Sequence, residues 1–287
     1  MISFAQLGKM GRLGNQFFQV AAVIGTAKRN NLDYVIPKWS VNEFLSTPVP
    51  EKDYFFPQVT HAEKYCTYDP ISLELEEGEA LDVDLKGYFQ SEKYFIDNAD
   101  LVRSHFSPSA EMSHSIQEKY GFLFQEKDIV SLHVRRGDYL SLTDVYTPTS
   151  LDYYEKCLKI CKPKKVLVFS DDIKSCKNVF GVRENFLYVT ERTHDPTVIS
   201  TTVAAEMDSR LYIEQDLTEL FLMSLCRFNI ITNSSYSWWA AWLNKRQDKE
   251  VFAPVSWFEP NHLKRICDPN KLDVYINDII PESWKKM

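Results

Sequence analysis

The segment SLHVRRGDYL, Ser131–Leu140, places one imidazole and two guanidinium groups at the end of an apolar run. Apolar residues alternate with polar ones along its first half, which predicts a strand with one buried face. His133 and Arg135 lie on the other face, and Arg136 follows directly. Because an unpaired buried cation is costly, either a carboxylate such as Asp138 neutralises the arginines or an anion binds there.

Two more predicted strands in the second half end in polar residues. VLVFS is followed by Asp171 and Asp172, and FNIITN is followed by Ser234 and Ser235, where a helix is predicted to begin. Ligands of open α/β sheets bind beyond the carboxyl ends of the strands, so these residues and the arginines could share one crevice. Arginines and helix starts bind phosphate, and a carboxylate can accept from the N1–H and amine of guanine. The pattern therefore predicts a site for a guanine nucleotide.

Each of these patterns also has a purely structural interpretation. Arg-Arg-Gly-Asp can be an ion-pair turn, and both Asp-Asp and NSSYS can be helix caps. Trp238, Trp239 and Trp242 follow at helical spacing, which is typical of a core-facing helix. The joint placement of the three polar patterns on strand ends favours a ligand site over unrelated structural features.

The first half opens with a glycine-rich loop, GKMGRLGNQ, between a short predicted strand and a predicted helix. The loop lacks the G-K-[ST] ending of a P-loop and the G-x-G-x-x-G of a dinucleotide fold. Its glycines permit close approach of a ligand, and Arg12, Asn15 and Gln16 offer polar groups. A tight turn before a helix explains the same residues, and both interpretations stay open.

Asp82 and Asp84 form an Asp-x-Asp pair that could hold a divalent metal against a nucleotide diphosphate. The solvent-facing side of an edge strand explains the pair as well. Because the predicted phosphate-binding residues lie elsewhere in the chain, we expect no metal at this position.

Secondary-structure patterns divide the chain into two halves. In the first, a β-loop-α opening leads into an irregular stretch at 40–80 that four prolines interrupt. In the second, apolar strands alternate with helices, one of which is predicted to start with a capping box from Asp216 to Glu219. Repeated βα units favour a parallel, doubly wound sheet. We therefore expect an α/β fold with two domains, 1–125 and 126–287.

Composition narrows the class of protein. The chain has 287 residues, is 44% hydrophobic and has a formal net charge of -7, so no overall basic field points to nucleic acid or to an anionic membrane. The six cysteines have no metal-site or disulfide spacing, which favours reduced thiols in the cytoplasm. We find no signal peptide and no apolar run of about 18 residues, so we expect no transmembrane helix, although the protein could still work beside a membrane.

Five motifs resemble, in their order along the chain, those of the α-1,2-fucosyltransferases, glycosyltransferase family 11. H-x-R-R-G-D-Y and N-S-S-[YF]-S-W-W-A are specific in combination. The resemblance implies a GT-B type fold, in which two Rossmann-like domains with parallel sheets face each other. The motifs are GRLGNQFFQ (11–19), LKGYFQSEKYF (85–95), SLHVRRGDY (131–139), VFSDD (168–172) and TNSSYSWWAAWLN (232–244).

The resemblance also implies an inverting transfer of L-fucose from GDP-fucose to the 2-hydroxyl of a terminal β-galactose, with no metal and no other cofactor. Arg135 and Asn15 would act at the reaction centre: Arg135 would contact the β-phosphate, and Asn15, with Arg12 and Gly14, would face the fucose and the acceptor. The other residues that would bind the donor are His133, Arg136, Asp171, Asp172, Ser234 and Ser235.

Several points of mechanism stay open. The acceptor hydroxyl can use a general base, for which Asp138, Glu92 and His133 are candidates. The segment 182–215, which includes ERTHDP, does not match the family motifs and could be an acceptor loop or a decoration. Three alternatives to a 2-fucosyltransferase remain: a GDP-fucose transferase of another linkage such as α-1,6, a catalytically decayed nucleotide- or glycan-binding protein, and a metal-dependent transferase that uses the Asp-x-Asp pair.

Overall fold

The computed structural model describes most of the chain. The described residues are 1–73, 81–137, 142–181, 183–189 and 202–287, and of residues 202–209 only the backbone is described. Asp138 and the segment ERTHDP lie outside these residues.

The described residues form two compact units. Unit 1 consists of Met1–Ser109 and Pro260–Glu282, and unit 2 consists of Ala110–Glu259 and Ser283–Met287. This division differs from the boundary expected near residue 125. The chain enters unit 2 earlier, at a helix that the sequence patterns did not predict, and a late segment returns to unit 1.

Among the described helices, none combines the length and the hydropathy that a membrane span requires. The described helices are α1 (Leu13–Arg29), α2 (Ala99–His105), α3 (Ala110–Tyr120), α4 (Leu151–Cys161), α5 (Ile173–Phe180), α6 (Thr202–Ser224), α7 (Ser235–Leu243), α8 (Pro260–Ile266) and α9 (Ile276–Ile279). The described strands are β1 (Ile2–Ser3), β2 (Val59–Ala62), β3 (Val83–Lys86), β4 (Ile129–Val134), β5 (Lys165–Ser170), β6 (Phe186–Tyr188), β7 (Phe228–Ile230), β8 (Glu250–Ala253) and β9 (Lys285–Lys286).

The described strands of unit 1 form a parallel sheet in the order β1-β3-β2. Val83 of β3 pairs with both Ile2 and Val59, so β3 is the central strand. Asp84 on this strand is buried, and its carboxylate accepts the N–H of Ala5 at 2.6 Å. The expectation that the Asp-x-Asp pair lies on an edge strand is therefore wrong, because β1 and β2 flank β3 on both sides.

Helix α1 packs tightly inside unit 1. Residues 17–27 are all buried, and Phe17 stacks on Phe106 with 4.5 Å between ring centroids. A Cβ added to Gly25 would lie 2.1 Å from the carbonyl oxygen of Tyr94. Glycine inside a helix costs about 0.5–1 kcal/mol relative to alanine, and this close approach of two backbones explains why glycine stands here.

We expect Gly25→Ala to destabilise the protein by about 1–3 kcal/mol, although alanine has the higher helix propensity, because the new methyl group must push two backbones apart. Denaturant unfolding measures the effect. Lys28→Ala, at an exposed position of the same helix, is the control and should change the free energy of unfolding by less than about 0.5 kcal/mol. Equal stability of the Gly25→Ala and wild-type proteins would contradict the contact.

The described strands of unit 2 form a six-stranded parallel sheet in the order β6-β5-β4-β7-β8-β9. Strand β4 pairs with β5 along its whole length and with β7 on its other side. Every residue of β4 is buried, as expected for a central strand of a parallel sheet whose faces are covered. The doubly wound parallel sheet predicted for the second half is confirmed.

Helix α7 is a core helix, as the tryptophan spacing predicted. Trp238, Trp239 and Trp242 are all buried. Trp238 stacks on Trp242 with 6.2 Å between centroids and contacts Trp284 at 5.4 Å. The C-terminal residues Ser283–Met287 therefore pack on unit 2.

Helix α6 begins earlier than the sequence pattern predicts. Its first residue is Thr202, so Asp216 and Glu219 lie within the helix and not at its start. Glu219 is buried and accepts a hydrogen bond from Gln215 at 3.3 Å. The capping-box prediction is wrong, because the residues before Asp216 continue the helix.

The returning segment Pro260–Glu282 is anchored on unit 1 by polar contacts. The N–H of Tyr68 donates to the carboxylate of Asp278 at 3.0 Å. Burial raises the pKa of the Cys66 and Cys267 thiols. All the cysteines are free thiols.

Candidate active site

The strand order of unit 2 reverses between β4 and β7. From β4 the chain continues to β5 and β6 on one side, and from β7 it continues to β8 and β9 on the other. At such a switch point the loops that follow the two strands diverge and leave a crevice at the carboxyl edge of the sheet. Arg135 and Arg136 follow β4, and residues 232–235 follow β7. The predicted phosphate-binding residues therefore border this crevice.

Arg135 forms an ion pair with Asp171, the residue that follows β5. Its Nη1 lies 3.1 Å from Oδ2, and the two side chains are only 14% and 11% exposed. The other carboxylate oxygen accepts the N–H of Arg136 at 3.0 Å. A Cβ on Gly137 would lie 2.6 Å from the same carboxylate, so glycine permits the contact. The described acid of this ion pair is Asp171, which lies outside the Arg-Arg-Gly-Asp motif, and Asp138 of that motif is not among the described residues.

The surroundings of Asp171 keep its carboxylate ionised. Burial alone raises the pKa, but Arg135, the N–H groups of Arg136 and Gly137, and His133 outweigh it and hold the pKa below its ordinary value. The carboxylate therefore fixes the orientation of Arg135 at the end of β4. A guanidinium has five N–H donors in a rigid fork, so a carboxylate on one edge is compatible with a phosphate on another.

Arg136 borders a pocket between the end of β4 and helices α4 and α5. Its Nε is buried and has no hydrogen-bond partner among the residues that the structure describes. A buried N–H in this state is one that a polar ligand can satisfy. Other residues lining the pocket are Val134, Thr149, Leu151, Tyr154, Cys176 and Phe180.

His133 is buried at the end of β4. The centroid of its ring lies 5.5 Å from that of Tyr236 in the first turn of α7. The Tyr236 hydroxyl donates to the carbonyl of Asp216 at 2.6 Å, which joins α7 to α6. His133 therefore packs between the strand end and the helix start that border the crevice.

Asn233 joins the loops that surround the start of α7. Its Nδ2 donates to the carbonyls of Thr147 at 3.0 Å and Trp257 at 2.8 Å. Its Oδ1 accepts from the hydroxyls of Thr232 at 3.0 Å and Thr149 at 3.3 Å. The asparagine of NSSYS thus has a structural role, and Thr149 is a partner that sequence reasoning missed.

Ser234 and Ser235 stand at the start of α7. Ser234 is the N-cap residue, yet its side chain accepts no hydrogen bond from the helix. Asp172 differs, because it caps α5 by accepting the N–H of Ser175 at 2.9 Å. The cap interpretation therefore holds for Asp172 and not for the Ser234 side chain. The N–H groups and positive dipole end of α7 are suited to binding an anion.

In unit 1 the glycine-rich loop leads into α1 at Arg12, which is exposed, and Gly14 is buried in the first turn. Gly11 has a φ of 73°, and a Cβ there would lie 2.2 Å from Nδ2 of Asn15. The Oδ1 of Asn15 accepts a hydrogen bond from Nε2 of Gln90 at 2.7 Å. The loop thus holds Asn15 on one side and Gln90 holds it on the other.

Glu63 lies at the carboxyl edge of the unit 1 sheet, and the sequence patterns did not single it out. It follows β2 and accepts the N–H groups of Tyr88 at 2.7 Å and Phe89 at 2.9 Å. Burial raises the pKa of Glu63 to about 7, although these two hydrogen bonds lower it. No local pattern marks Glu63, because its partners lie 25 and 26 residues further along the chain.

Other candidates make structural contacts within unit 1. The Asp82 carboxylate lies 3.1 Å from the amino group of Met1, and burial raises the pKa of Asp84. Gln16 accepts a hydrogen bond from the Trp39 indole at 2.8 Å. In the described part of the chain, no three or more His, Cys, Asp and Glu side chains form a group that could hold a metal.

The predicted site residues fall into two groups. His133, Arg135, Arg136, Asp171, Asp172, Ser234 and Ser235 belong to unit 2, whereas Arg12, Gly14 and Asn15 belong to unit 1. Of the general-base candidates, Glu92 belongs to unit 1 and His133 to unit 2.

Curated relatives share sequence with this chain over most of its length. The O-antigen biosynthesis glycosyltransferase WbnK of Escherichia coli is 29% identical over 203 residues, which are 67% of this chain and 60% of WbnK. An α-1,2-colitosyltransferase of Escherichia coli is 27% identical over 81% of this chain and 72% of its own. A galactoside 2-α-L-fucosyltransferase of Caenorhabditis elegans is 23% identical over 96% of this chain and 76% of its own.

Solved structures share the fold. The fucosyltransferase NodZ from Bradyrhizobium matches with a TM-score of 0.50 and 16% identity over 79% of this chain and 88% of NodZ. NodZ α-1,6-fucosyltransferase soaked with GDP-fucose matches with a TM-score of 0.52 and 16% identity over 84% of this chain and 91% of its own. These likenesses, with the parallel sheets of both units, confirm the predicted α/β fold of the GT-B type.

The family assignment follows from the extent of the sequence match. The model of glycosyl transferase family 11 matches residues 5–271, which include the glycine-rich loop of unit 1 and the strand ends of unit 2. The chain belongs to glycosyl transferase family 11.

Proposed function

We propose that this protein is a galactoside 2-α-L-fucosyltransferase, which transfers L-fucose from GDP-fucose to the 2-hydroxyl of a terminal β-galactose with inversion and without a metal. The names of two relatives support the linkage, since one is an α-1,2-colitosyltransferase and another a galactoside 2-α-L-fucosyltransferase. The single observation that carries the proposal is Arg135, oriented by Asp171 at the switch point of the unit 2 sheet.

The proposed donor site uses three sources of positive potential. Arg135 binds the β-phosphate with one edge of its guanidinium group, and Asp171 binds the other edge. Arg136 has a buried N–H without a partner among the described residues. The first turn of α7 adds N–H groups, and Ser234 and Ser235 add hydroxyls. Together these groups can neutralise a diphosphate without a metal.

The proposed reaction breaks the bond between the fucose C1 and the diphosphate oxygen as the acceptor 2-hydroxyl oxygen forms a new bond to C1 from the opposite face. The electrons of the broken bond stay on GDP, whose growing negative charge is stabilised by Arg135 and the start of α7. The acceptor hydroxyl passes its proton to a general base, for which Asp138, Glu92 and His133 are the candidates. We propose that Asn15, with Arg12 and Gly14, faces the fucose and the acceptor.

Recognition of guanine by Asp171 or Asp172 remains a prediction. Asp171 already binds Arg135 and the N–H of Arg136, and Asp172 caps α5. We therefore assign Asp171 first to orienting Arg135.

A second candidate function is a GDP-fucose transferase of another linkage. The likeness to NodZ, an α-1,6-fucosyltransferase, favours it at the level of the fold. The two candidates share the donor and differ in the acceptor hydroxyl, so linkage analysis of the product separates them.

We expect the purified protein to transfer fucose from GDP-fucose to β-galactosides, to form a 1,2 linkage, and to keep its activity in excess EDTA. Incubation with a panel of β-galactosides, followed by linkage analysis, tests all three points. A 1,6 product would support the second candidate, and loss of activity in EDTA would contradict the metal-free site. Binding of GDP without turnover on any acceptor would instead indicate a decayed enzyme.

A further inference from the structure

Asn15 and Gln90 form a hydrogen-bonded pair of carboxamides at the carboxyl edge of the unit 1 sheet. Nε2 of Gln90 donates to Oδ1 of Asn15 at 2.7 Å. Nδ2 of Asn15 lies on the side of Gly11, where a Cβ would come within 2.2 Å of it. Because the Oδ1 of Asn15 accepts a hydrogen bond from Gln90, the NH2 group is the part of this side chain that can donate to a ligand.

The segment that carries Gln90 is fixed by Glu63. The two carboxylate oxygens of Glu63 each accept one backbone N–H, from Tyr88 and Phe89. A Cβ on Gly87 would lie 2.3 Å from Cβ of Glu63, so the turn and the acid are in close contact. Phe89 has a φ of 51°, an unfavourable conformation for a bulky residue, and the contacts of Glu63 help to hold it.

Helix α1 is joined to the same turn. The buried side chain of Gln19 donates to the carbonyl of Gly87 at 3.4 Å and to that of Met10 at 3.0 Å. The glycine-rich loop, the first turns of α1 and the turn after β3 are therefore one connected polar structure around Asn15.

We propose that Gln90 is a positioning residue that fixes the Asn15 carboxamide as a hydrogen-bond donor to an oxygen of the transferred sugar or of the acceptor, and that Glu63 holds the turn that carries Gln90. The inference rests on the proposed function. It specifies the chemistry of the unit 1 side: a neutral N–H donor that recognises a hydroxyl, ring or bridging oxygen.

Substitutions at position 90 can reverse the orientation of Asn15. The carboxylate of a glutamate at position 90 can only accept hydrogen bonds, so in Gln90→Glu the Asn15 amide turns its NH2 group towards residue 90. The Oδ1 of Asn15 then faces the ligand in place of the NH2 group. Gln90→Met has a similar size and removes the hydrogen bond without favouring either orientation. Asn15→Asp keeps an acceptor for Gln90 and removes the donor. Gln117→Glu, at an exposed position of α3, controls for the added charge.

We expect Gln90→Glu and Asn15→Asp to lower kcat/KM for transfer by about 100-fold, and Gln90→Met by about 10-fold. The Kd of GDP should stay within about twofold of wild type, since GDP has no sugar for Asn15 to bind. Gln117→Glu should match wild type. Activity of Gln90→Glu equal to or above that of Gln90→Met would overturn the proposal, because it would mean that Asn15 does not act as a donor.

Glu63→Gln tests the second part. One carboxylate oxygen becomes an NH2 group that faces a backbone N–H, so the turn is weakened and kcat/KM should fall by about 10-fold. Combined with Gln90→Met, it should cost little more than either change alone, because both act through Asn15. If the losses in kcat/KM of the two single variants add in the double variant, Glu63 and Gln90 do not both act through Asn15.

An observation without turnover separates this proposal from the proposed function. In protein labelled with 15N-asparagine, the side-chain NH2 protons of Asn15 should lie close to the α-protons of Gly11 in the wild type, and this contact should vanish in Gln90→Glu. If the wild type transfers no fucose but shows this NMR contact, the proposed function fails and the positioning stands. An Asn15 NH2 group directed at Gln90 in the wild type would refute the positioning, whatever the activity.

Discussion

Arg135→Lys is expected to lower kcat for fucose transfer by about 10²–10³-fold, the loss typical when one fixed stabiliser of a developing negative charge is removed. Lysine keeps the charge, but it has no planar fork. It cannot bind Asp171 on one edge and a phosphate on another. The buried Asp171 carboxylate, 3.1 Å from the guanidinium in the wild type, would compete with the diphosphate for a single ammonium group.

Steady-state kinetics with GDP-fucose measures this effect, with Arg183→Lys as the matched control. Arg183 also pairs with a carboxylate of unit 2, Glu155 at 2.6 Å, but both side chains are about one-third exposed. Such an exposed pair contributes little to stability, so the conservative replacement of Arg183 should leave kcat close to wild type. Turnover of Arg135→Lys within about threefold of wild type would show that the fork is not needed.

Asp171→Asn is expected to destabilise the protein by about 3 kcal/mol at neutral pH, because it removes a carboxylate that pairs with the largely buried Arg135. It should also weaken GDP binding, since the orientation of Arg135 is lost. Asp172→Asn is the matched control. Asp172 acts as the cap of α5, and asparagine caps as well as aspartate, so this variant should lose less than about 0.5 kcal/mol.

The stabilisation by Asp171 has a defined pH window. Its pKa is lowered in the folded protein, so its contribution is present above the unfolded pKa of about 3.9 and is lost as the pH falls through the lower folded value. The wild type and Asp171→Asn should therefore differ most at neutral pH and converge in acid. Chemical unfolding at pH 7 and below pH 4 measures this, and an equal difference at both would exclude the ion pair as its source.

The architecture of unit 2 was predictable because its signals are local. Strand β5 contains the continuous apolar run VLVF, which is typical of a strand buried on both faces, and β4 has apolar residues at alternate positions. The tryptophans of α7 repeat at helical spacing and are buried. The polar residues at the strand ends could be placed near one another from the parallel topology alone.

The errors arose where distant contacts decide the outcome. The capping-box pattern at Asp216 is valid locally, but the helix has already begun at Thr202. The Asp-x-Asp strand reads as an edge, but its place in the middle of the sheet depends on pairing with β1 and β2. The return of Pro260–Glu282 to unit 1 depends on contacts such as the one between Asp278 and Tyr68, 210 residues apart.

In the candidate site, too, local patterns were predictable from the sequence and contacts between distant residues were not. The arginines were recognisable from the cost of burying them, but the pairing of Arg135 with Asp171 was not, because Asp171 follows a whole βα unit later in the chain. Glu63 lay in a stretch without periodicity, and its importance appears only through its contacts with the turn after β3.

The most direct test of the central claim is a crystal structure of the protein with GDP. The account predicts that the β-phosphate lies within hydrogen-bonding distance, about 3 Å, of the Arg135 guanidinium and of the N–H groups at the start of α7. Calorimetry on the same protein should register binding of GDP. A diphosphate bound away from Arg135, with the Arg135–Asp171 pair facing no ligand, would contradict it.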